Sequence, residues 1–242
     1  MLYNKFMSNL NNLKSELNNE LLNKYNEILV EHNKITNLTA HKTIEQSRKY
    51  NIDDSILFGD VIGGYFAKVS ESNAGRAPMH LDIGSGGGSP AIPIKISFPQ
   101  INTTMLDSVR KKTDFLNSTV SELGLPDITA IHTRIEDFCA SHRESFDVVT
   151  ARAVAGLNTL VEYALPLLRV GGHLIAYKGQ NANEEIQTAS RAIGILGGRV
   201  TEVATANLDS DTVRTLVIIE KHRPTPSQYP RGKNLPRIKP IM

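Results

Sequence analysis

The chain has 242 residues, 40% of them hydrophobic and 21% charged, with 27 Lys+Arg against 25 Asp+Glu. That size and balance describe a globular protein with a large core and exclude overall disorder. A single cysteine (Cys139) excludes a disulfide framework and paired-cysteine zinc or redox sites, no HExxH is present, and the longest strictly apolar run, Leu216–Ile219, is far short of a membrane span.

With no apolar signal-peptide core in the opening residues, a cytoplasmic protein is expected. Residues 1–36 predict a long amphipathic helix or helical hairpin, because Phe6, Leu10, Leu13, Leu17, Leu21, Tyr25 and Ile28 recur at spacings of three and four. The asparagines between them lower helix propensity, so packing must hold the segment. A turn near Asn33–Thr39 and a second helical stretch over about 43–67 follow. The Ser/Gly/Pro loop at 70–78 then separates an N-terminal helical cap, residues 1–70, from a core over residues 78–221.

From Met79 the pattern alternates. Strands are predicted at Met79–Ile83, Thr104–Asp107, Ile128–His132, Asp147–Ala151, His173–Lys178, Val200–Thr205 and Val213–Lys221, with helices near 91–97, 110–123, 157–168 and 182–196. This rhythm specifies an α/β fold with a doubly wound, seven-stranded, mainly parallel sheet, ending in an antiparallel hairpin. Cys139 falls between predicted elements, where it packs as a small hydrophobe.

The strongest local signal is MHLDIGSGGGSPAIP, a strand ending at Asp82 followed by Gly84, Gly86 and Gly88 before a helix. Glycines allow a sharp turn and close backbone approach to a ligand. A dinucleotide fingerprint would need glycine at position 89, which is Ser89, and the only Gly-Lys pair, Gly232-Lys233, lacks the Walker context. An acid followed by G-x-G-x-G fits the first motif of class I S-adenosylmethionine-dependent methyltransferases. Asp107, ending the next strand 23 residues after Gly84, supplies a carboxylate for ribose hydroxyls.

Methyl transfer relies on orientation. The turn after the fourth strand reads Thr150-Ala151-Arg152-Ala153, unlike the (N/D)PPY turn used on exocyclic amines, and carbon-5 methylation would need a thiolate. These features favour an acceptor with its own free lone pair, such as a purine ring nitrogen. Arg152 stands at the carboxyl edge of its strand, where a guanidinium either binds guanine O6/N7, a phosphate or a carboxylate, or caps a neighbouring helix.

From about Tyr25 onward these residues resemble one family, the bacterial 16S rRNA guanine-N7 methyltransferases, or glucose-inhibited division protein B. The matching segments are Asn37-Leu38-Thr39-Ala40, the loop Asp82–Pro93, Leu106-Asp107-Ser108 with Lys111-Lys112 and Phe115-Leu116, Arg134-Ile135-Glu136, Ala151-Arg152-Ala153, and Thr225-Pro226-x-x-Tyr229-Pro230-Arg231. The chain departs from the family at Tyr50-Asn51-Ile52-Asp53-Asp54-Ser55, where members carry R-H-I-L-D-S, and at Ala91, usually glycine.

The resemblance implies S-adenosylmethionine as cofactor and N7 of one loop guanine in 16S rRNA, naked or within the small subunit, as acceptor. It implies that Gly84 and Ser89 meet the cofactor's methionine part and Ile135-Glu136 its adenine edge, with Arg152 as the site arginine of the pocket. Gly86, Gly88, Asp107 and Arg152 are likewise expected to bind the cofactor, Arg152 also to position the acceptor, and no metal and a monomer are expected. A diverged paralogue acting on another RNA and a non-catalytic RNA-binding protein stay open at this point.

Charge is unevenly spread. From Lys221 on there are six basic residues and no acid, so the first 220 residues carry −4 and the remainder +6. Prolines keep residues 222–242 extended, basic side chains suit phosphates and tyrosine suits an unpaired base. Tyr229, Arg231, Lys233 and Arg237 are therefore expected to grip RNA.

Overall fold

The computed structural model describes residues 2–72, 75–232 and 234–242, with side chains from Ser15 on. Lys233 and the Phe6, Leu10 and Leu13 side chains of the expected apolar stripe lie outside the described residues.

The first segment is one helix, α1 (Leu2–Asn33), not a hairpin. Its buried face is carried by Leu22, Tyr25, Leu29 and Val30, while Leu17 of the expected stripe is exposed. The expected helix over 43–67 is corrected. It breaks into α2 (Ile44–Ser47), a π-helical turn at Arg48–Asp53, α3 (Asp54–Ile56) and α4 (Gly59–Ser72). π-helical turns concentrate at functional sites, and this one carries the segment that departs from the family pattern.

The sheet contains β1 (Met79–Ile83), β2 (Asn102–Asp107), β3 (Ile128–His132), β4 (Phe146–Arg152), β5 (Leu168–Lys178), β6 (Gly198–Asn207) and β7 (Val213–Lys221). Their order is β3-β2-β1-β4-β5-β7-β6. β1 to β5 pair in parallel, and β7 runs antiparallel between β5 and β6. The strand order therefore reverses between β1 and β4, and crevices that bind ligands in such sheets open at the carboxyl ends beside that reversal. Gly84 and Arg152 stand at those ends.

The connecting helices are α5 (Ala91–Ser97), α6 (Arg110–Leu123), α7 (Ile135–Ser141), α8 (Leu157–Ala164) and α9 (Ala182–Ile195), and a short α10 (Leu235–Ile238) follows the sheet. α7 was not expected: Ile135-Glu136 opens a helix instead of forming an isolated turn. Its Phe138 and Cys139 are buried, as the i, i+3, i+4 spacing of Ile135, Phe138 and Cys139 requires. α8 stops at Ala164, short of the expected 168, because Pro166 has no N–H to continue it.

Leu81 and Ile83 of β1 face a core with Phe146, Val149, Leu160 and Leu174. On the other face, Val148, Ile175 and Leu216 pack with Phe58, Ile62 and Phe66. A third cluster joins Tyr25 and Leu29 of α1 to Ile92, Met105 and Leu116, so the first helix is part of the core that supports the glycine loop.

Candidate active site

The glycine loop is held from three directions. Asp107 at the end of β2 accepts the Gly86 N–H at 2.9 Å with one oxygen and the Val109 N–H at 2.9 Å with the other. The Ser85 N–H donates to the Leu106 carbonyl. From α1, the buried Tyr25 hydroxyl lies 2.8 Å from the Gly87 carbonyl, to which it donates, and 3.0 Å from Ser89 Oγ. Asp107 thus shapes the loop as well as standing beside it, and burial pushes the Tyr25 phenol up.

Two of these glycines are obligatory for geometric reasons. Gly84 has φ +69°, and a Cβ there would lie 2.8 Å from Val154 Cγ2. Gly88 has φ +102°, and a Cβ there would lie 2.6 Å from Ile92 Cδ1. Only glycine adopts such backbone freely.

Behind the loop runs a buried polar ladder. Thr150 Oγ1 donates to Asp82 Oδ1 at 2.6 Å and lies 2.9 Å from His80 Nε2. With its one hydrogen spent on Asp82, Thr150 accepts from His80 Nε2–H, and His80 Nδ1 accepts from Thr103 Oγ1. Burial lowers His80 to about 3, which fixes a neutral ring, and raises Asp82 to about 6. Asp82 Oδ2 has no partner among the described residues.

Two chambers open at the carboxyl edge of the sheet. The first, about 690 Å³, is lined by Gly84, Gly86, Ser89, Thr39, His41, Tyr50, Asp54, Arg152 and Arg214. The second, about 460 Å³, is lined by Gly84, Asp107, Lys112, Ile135, Glu136, Asn234 and Arg237. Gly84, Ala153 and Val154 line both. A ligand with a nucleoside at one end and an amino acid at the other fits this pair, with the glycine cradle at their junction.

Arg152 is held in the first chamber. Its Nη1 donates to the Tyr50 carbonyl at 3.0 Å and to Asp54 Oδ2 at 3.1 Å. Asp54 Oδ1 accepts from Arg214 Nε at 2.7 Å, so one buried carboxylate orients two guanidiniums. Arg214, near the start of β7, is a site residue that the sequence alone did not reveal.

The family departures are accommodated. Asn51 is buried, accepting from Thr39 Oγ1 and donating to Ser47 Oγ, each at 3.1 Å. Asp53 pairs with Arg48 on the outside. Ala91 is fully buried at the start of α5. The His41 and Tyr50 rings stack with centroids 4.6 Å apart at the first chamber, and partial burial together with the nearby Arg152 lowers the His41 pKa.

The expected residues therefore divide. Gly84, Gly86, Ser89 and Arg152 come together in the first chamber, and Gly84, Asp107, Ile135 and Glu136 in the second. Gly88 lines neither and instead seats α5 and Tyr25.

The extended basic arm is corrected: the described residues past 221 fold back on the body. Lys221 is fully buried, donating to the Leu168 carbonyl and Glu144. Arg231 forms two side-chain bonds and one backbone bond with the buried Glu162. Tyr229 is half-buried against the core, and Arg143 donates to its carbonyl. Lys221 and Arg231 are met by carboxylates of the body, while Arg223, Arg237 and Lys239 are exposed. Of the four residues expected to grip RNA, Arg237 lines the second chamber and Lys233 is not described.

No helix among the described residues is long and apolar enough to cross a membrane. Comparison with known proteins gives a coherent result. The family model for rRNA small subunit methyltransferase G matches residues 18–214. The ribosomal RNA small subunit methyltransferase G of Limosilactobacillus reuteri is 46% identical over 189 residues, covering 76% of this chain and 77% of that protein. That of Deinococcus radiodurans is 43% identical over 208 residues, covering 85% and 78%. That of Alkaliphilus metalliredigens is 46% identical over 165 residues, covering 66% and 69%. Among solved structures, Pyrococcus horikoshii TYW2 in complex with MeSAdo aligns with a TM-score of 0.50 at 14% identity, over 60% of this chain and 57% of that one, a likeness of fold alone. The seven-stranded, mainly parallel sheet is that of the class I methyltransferase fold. The chain belongs to the rRNA small subunit methyltransferase G family, a family of S-adenosylmethionine-dependent methyltransferases.

Proposed function

We propose that the chain methylates N7 of a loop guanine in 16S rRNA, using S-adenosylmethionine. The observation that carries this reading is the pair of chambers meeting at Gly84, Ala153 and Val154, one beside the ribose-type carboxylate Asp107 and the other beside two oriented arginines. Bound there, S-adenosylmethionine supplies an electrophilic methyl group on a sulfonium.

The residues of the chain then have positional work. Asp107 accepts from ribose hydroxyls with the lone pairs its two backbone bonds leave free. Ile135 and Glu136 border the adenine, and the Gly84–Ser89 backbone lets the methionine portion approach closely. Arg152 and Arg214 offer N–H donors to guanine O6, beside N7, or to its phosphate. N7 carries an unprotonated lone pair. It would accept the methyl group that bound S-adenosylmethionine would supply, with no proton to remove. The chain therefore needs no general base, and Asp54, held by two arginines, is not free to act as one. N7 faces the major groove, which A-form RNA closes, so the guanine must be presented from a loop, unstacked or flipped.

The test is transfer of labelled methyl from S-adenosylmethionine to small subunits or naked 16S rRNA, followed by digestion and mass identification of the nucleoside. Labelled 7-methylguanosine is expected. Label in another nucleoside, or none in RNA, overturns the proposal.

Asp82 gives a pH prediction. Burial raises this carboxyl to about 6, above the ordinary carboxylate value of the unfolded chain, so the folded chain should lose stability as the pH rises from about 4 through 6. Asp82→Asn should flatten that part of the Tm profile, and an unchanged profile would show that Asp82 does not titrate in this range.

A further inference from the structure

The residues beyond β7 have no role in the chemistry derived above, yet they close one side of a chamber that does. Asn234 and Arg237 line the second chamber with Asp107, Ile135 and Glu136. Their position is fixed by a set of buried or half-buried bonds to α8. Arg231 grips Glu162, whose side chain is fully buried, at 2.6–2.8 Å, and its Nη2 also donates to the Lys239 carbonyl at 2.9 Å, which ties the two ends of the segment together. Thr159 Oγ1 donates to the Pro236 carbonyl at 2.9 Å. Arg237 Nη2 donates to the Val154 carbonyl at 2.9 Å, and Val154 is the residue against which Gly84 is packed at the junction of the chambers. One chain of contacts thus runs from a buried ion pair through the segment to the shared wall.

We propose that Asn234 and Arg237, held by the bonds of Arg231 and Pro236 to α8, form the outer wall of the adenosine chamber and that Arg237, with Asn234, is a cofactor-binding residue; this rests on the methyl-transfer reading above. The chemistry suits a purine nucleoside. A guanidinium presents a planar face and several N–H donors, and the acceptors of an adenine ring are its unprotonated nitrogens. The carboxamide of Asn234 adds both a donor and an acceptor. Arg231 is a positioning residue: it lines neither chamber and sets the segment through Glu162. The charges of Arg231 and Arg237 are in this way directed to the body and the cofactor, and the contribution of these two side chains to RNA affinity is small.

The test is equilibrium binding of S-adenosylhomocysteine, and of adenosine alone, to the full chain by calorimetry, with Arg237→Ala and Arg237→Lys beside the wild type. Binding of an rRNA fragment without cofactor is measured over a range of salt. We expect Arg237→Ala to weaken both ligands about tenfold, Arg237→Lys to restore part of the loss, and RNA affinity and its salt slope to stay within twofold of wild type. Thermal melting checks that the variants fold, and the exposed setting of the Arg237 side chain leaves the core untouched. Unchanged ligand affinity in Arg237→Ala overturns the inference, as does lost RNA affinity with a reduced salt slope, which would return the segment to RNA. A wild-type protein that binds neither ligand overturns the methyl-transfer reading itself, so the two failures are separable.

Discussion

Arg152→Ala should lower kcat/KM for rRNA methylation by about a hundredfold or more while leaving S-adenosylhomocysteine affinity within a few fold. A hundredfold loss corresponds to about 2.7 kcal/mol of transition-state stabilisation, the range seen when one oriented donor is removed from a preorganised site. Arg152 is preorganised: Nη1 is committed to Tyr50 and Asp54, while Nη2 and Nε have no protein partner among the described residues and stay available to the acceptor. The fold should persist, because Asp54 keeps Arg214 and the truncated side chain leaves a hole at the chamber surface, not in the core. Arg152→Lys keeps the charge and loses the fork, so it should recover only part of the rate. Wild-type turnover in Arg152→Ala would show that Arg152 merely braces Asp54.

Gly84→Ala should abolish cofactor binding, with affinity down by about a hundredfold or more, and Gly124→Ala is its control. The two positions share nearly the same left-handed backbone, φ +69° and φ +64°, so each alanine pays a similar conformational cost of about 1–2 kcal/mol. That amounts to a few degrees in Tm for a chain of this size. They differ in surroundings. A Cβ at Gly124 meets nothing within 4 Å, whereas one at Gly84 meets Val154 at 2.8 Å and enters the wall common to both chambers. Similar melting temperatures with binding lost only in Gly84→Ala would separate the site from the strain. Equal binding in both would mean that the loop does not touch the cofactor.

What the amino-acid order disclosed follows the range of the forces involved. The parallel strands were legible because short apolar-rich segments alternate with helical patterns at the βαβ rhythm, and the loop because its glycines, Asp82 and Asp107 lie within one βαβ unit. α7 was illegible although Glu136 and Asp137 in its first turn and the Ile135–Phe138–Cys139 spacing are helix signals, because its seven residues are too few for periodicity to tell a helix from a strand. Arg214 and Tyr25 were illegible for a different reason. Arg214 meets Asp54 across 160 residues and Tyr25 meets Gly87 across 62, and no local pattern records a pairing that only the packed sheet creates. The charge asymmetry was real, but counting charge cannot tell a solvated cation from Lys221, whose ammonium is buried on Glu144 and the Leu168 carbonyl.

The Arg231–Glu162 pair has a consequence for biosynthesis. Glu162 leaves the ribosome 69 residues before its partner, an interval of roughly 3 to 14 s at ordinary rates of synthesis. Until then α8 carries a carboxylate that cannot be buried without its cation, a mismatch of about 3–5 kcal/mol. Over that interval the packing of α8 cannot be completed, and a chain cut short before Arg231 should be less stable by about that 3–5 kcal/mol. The pair therefore couples the packing of α8 to a segment synthesised well after it.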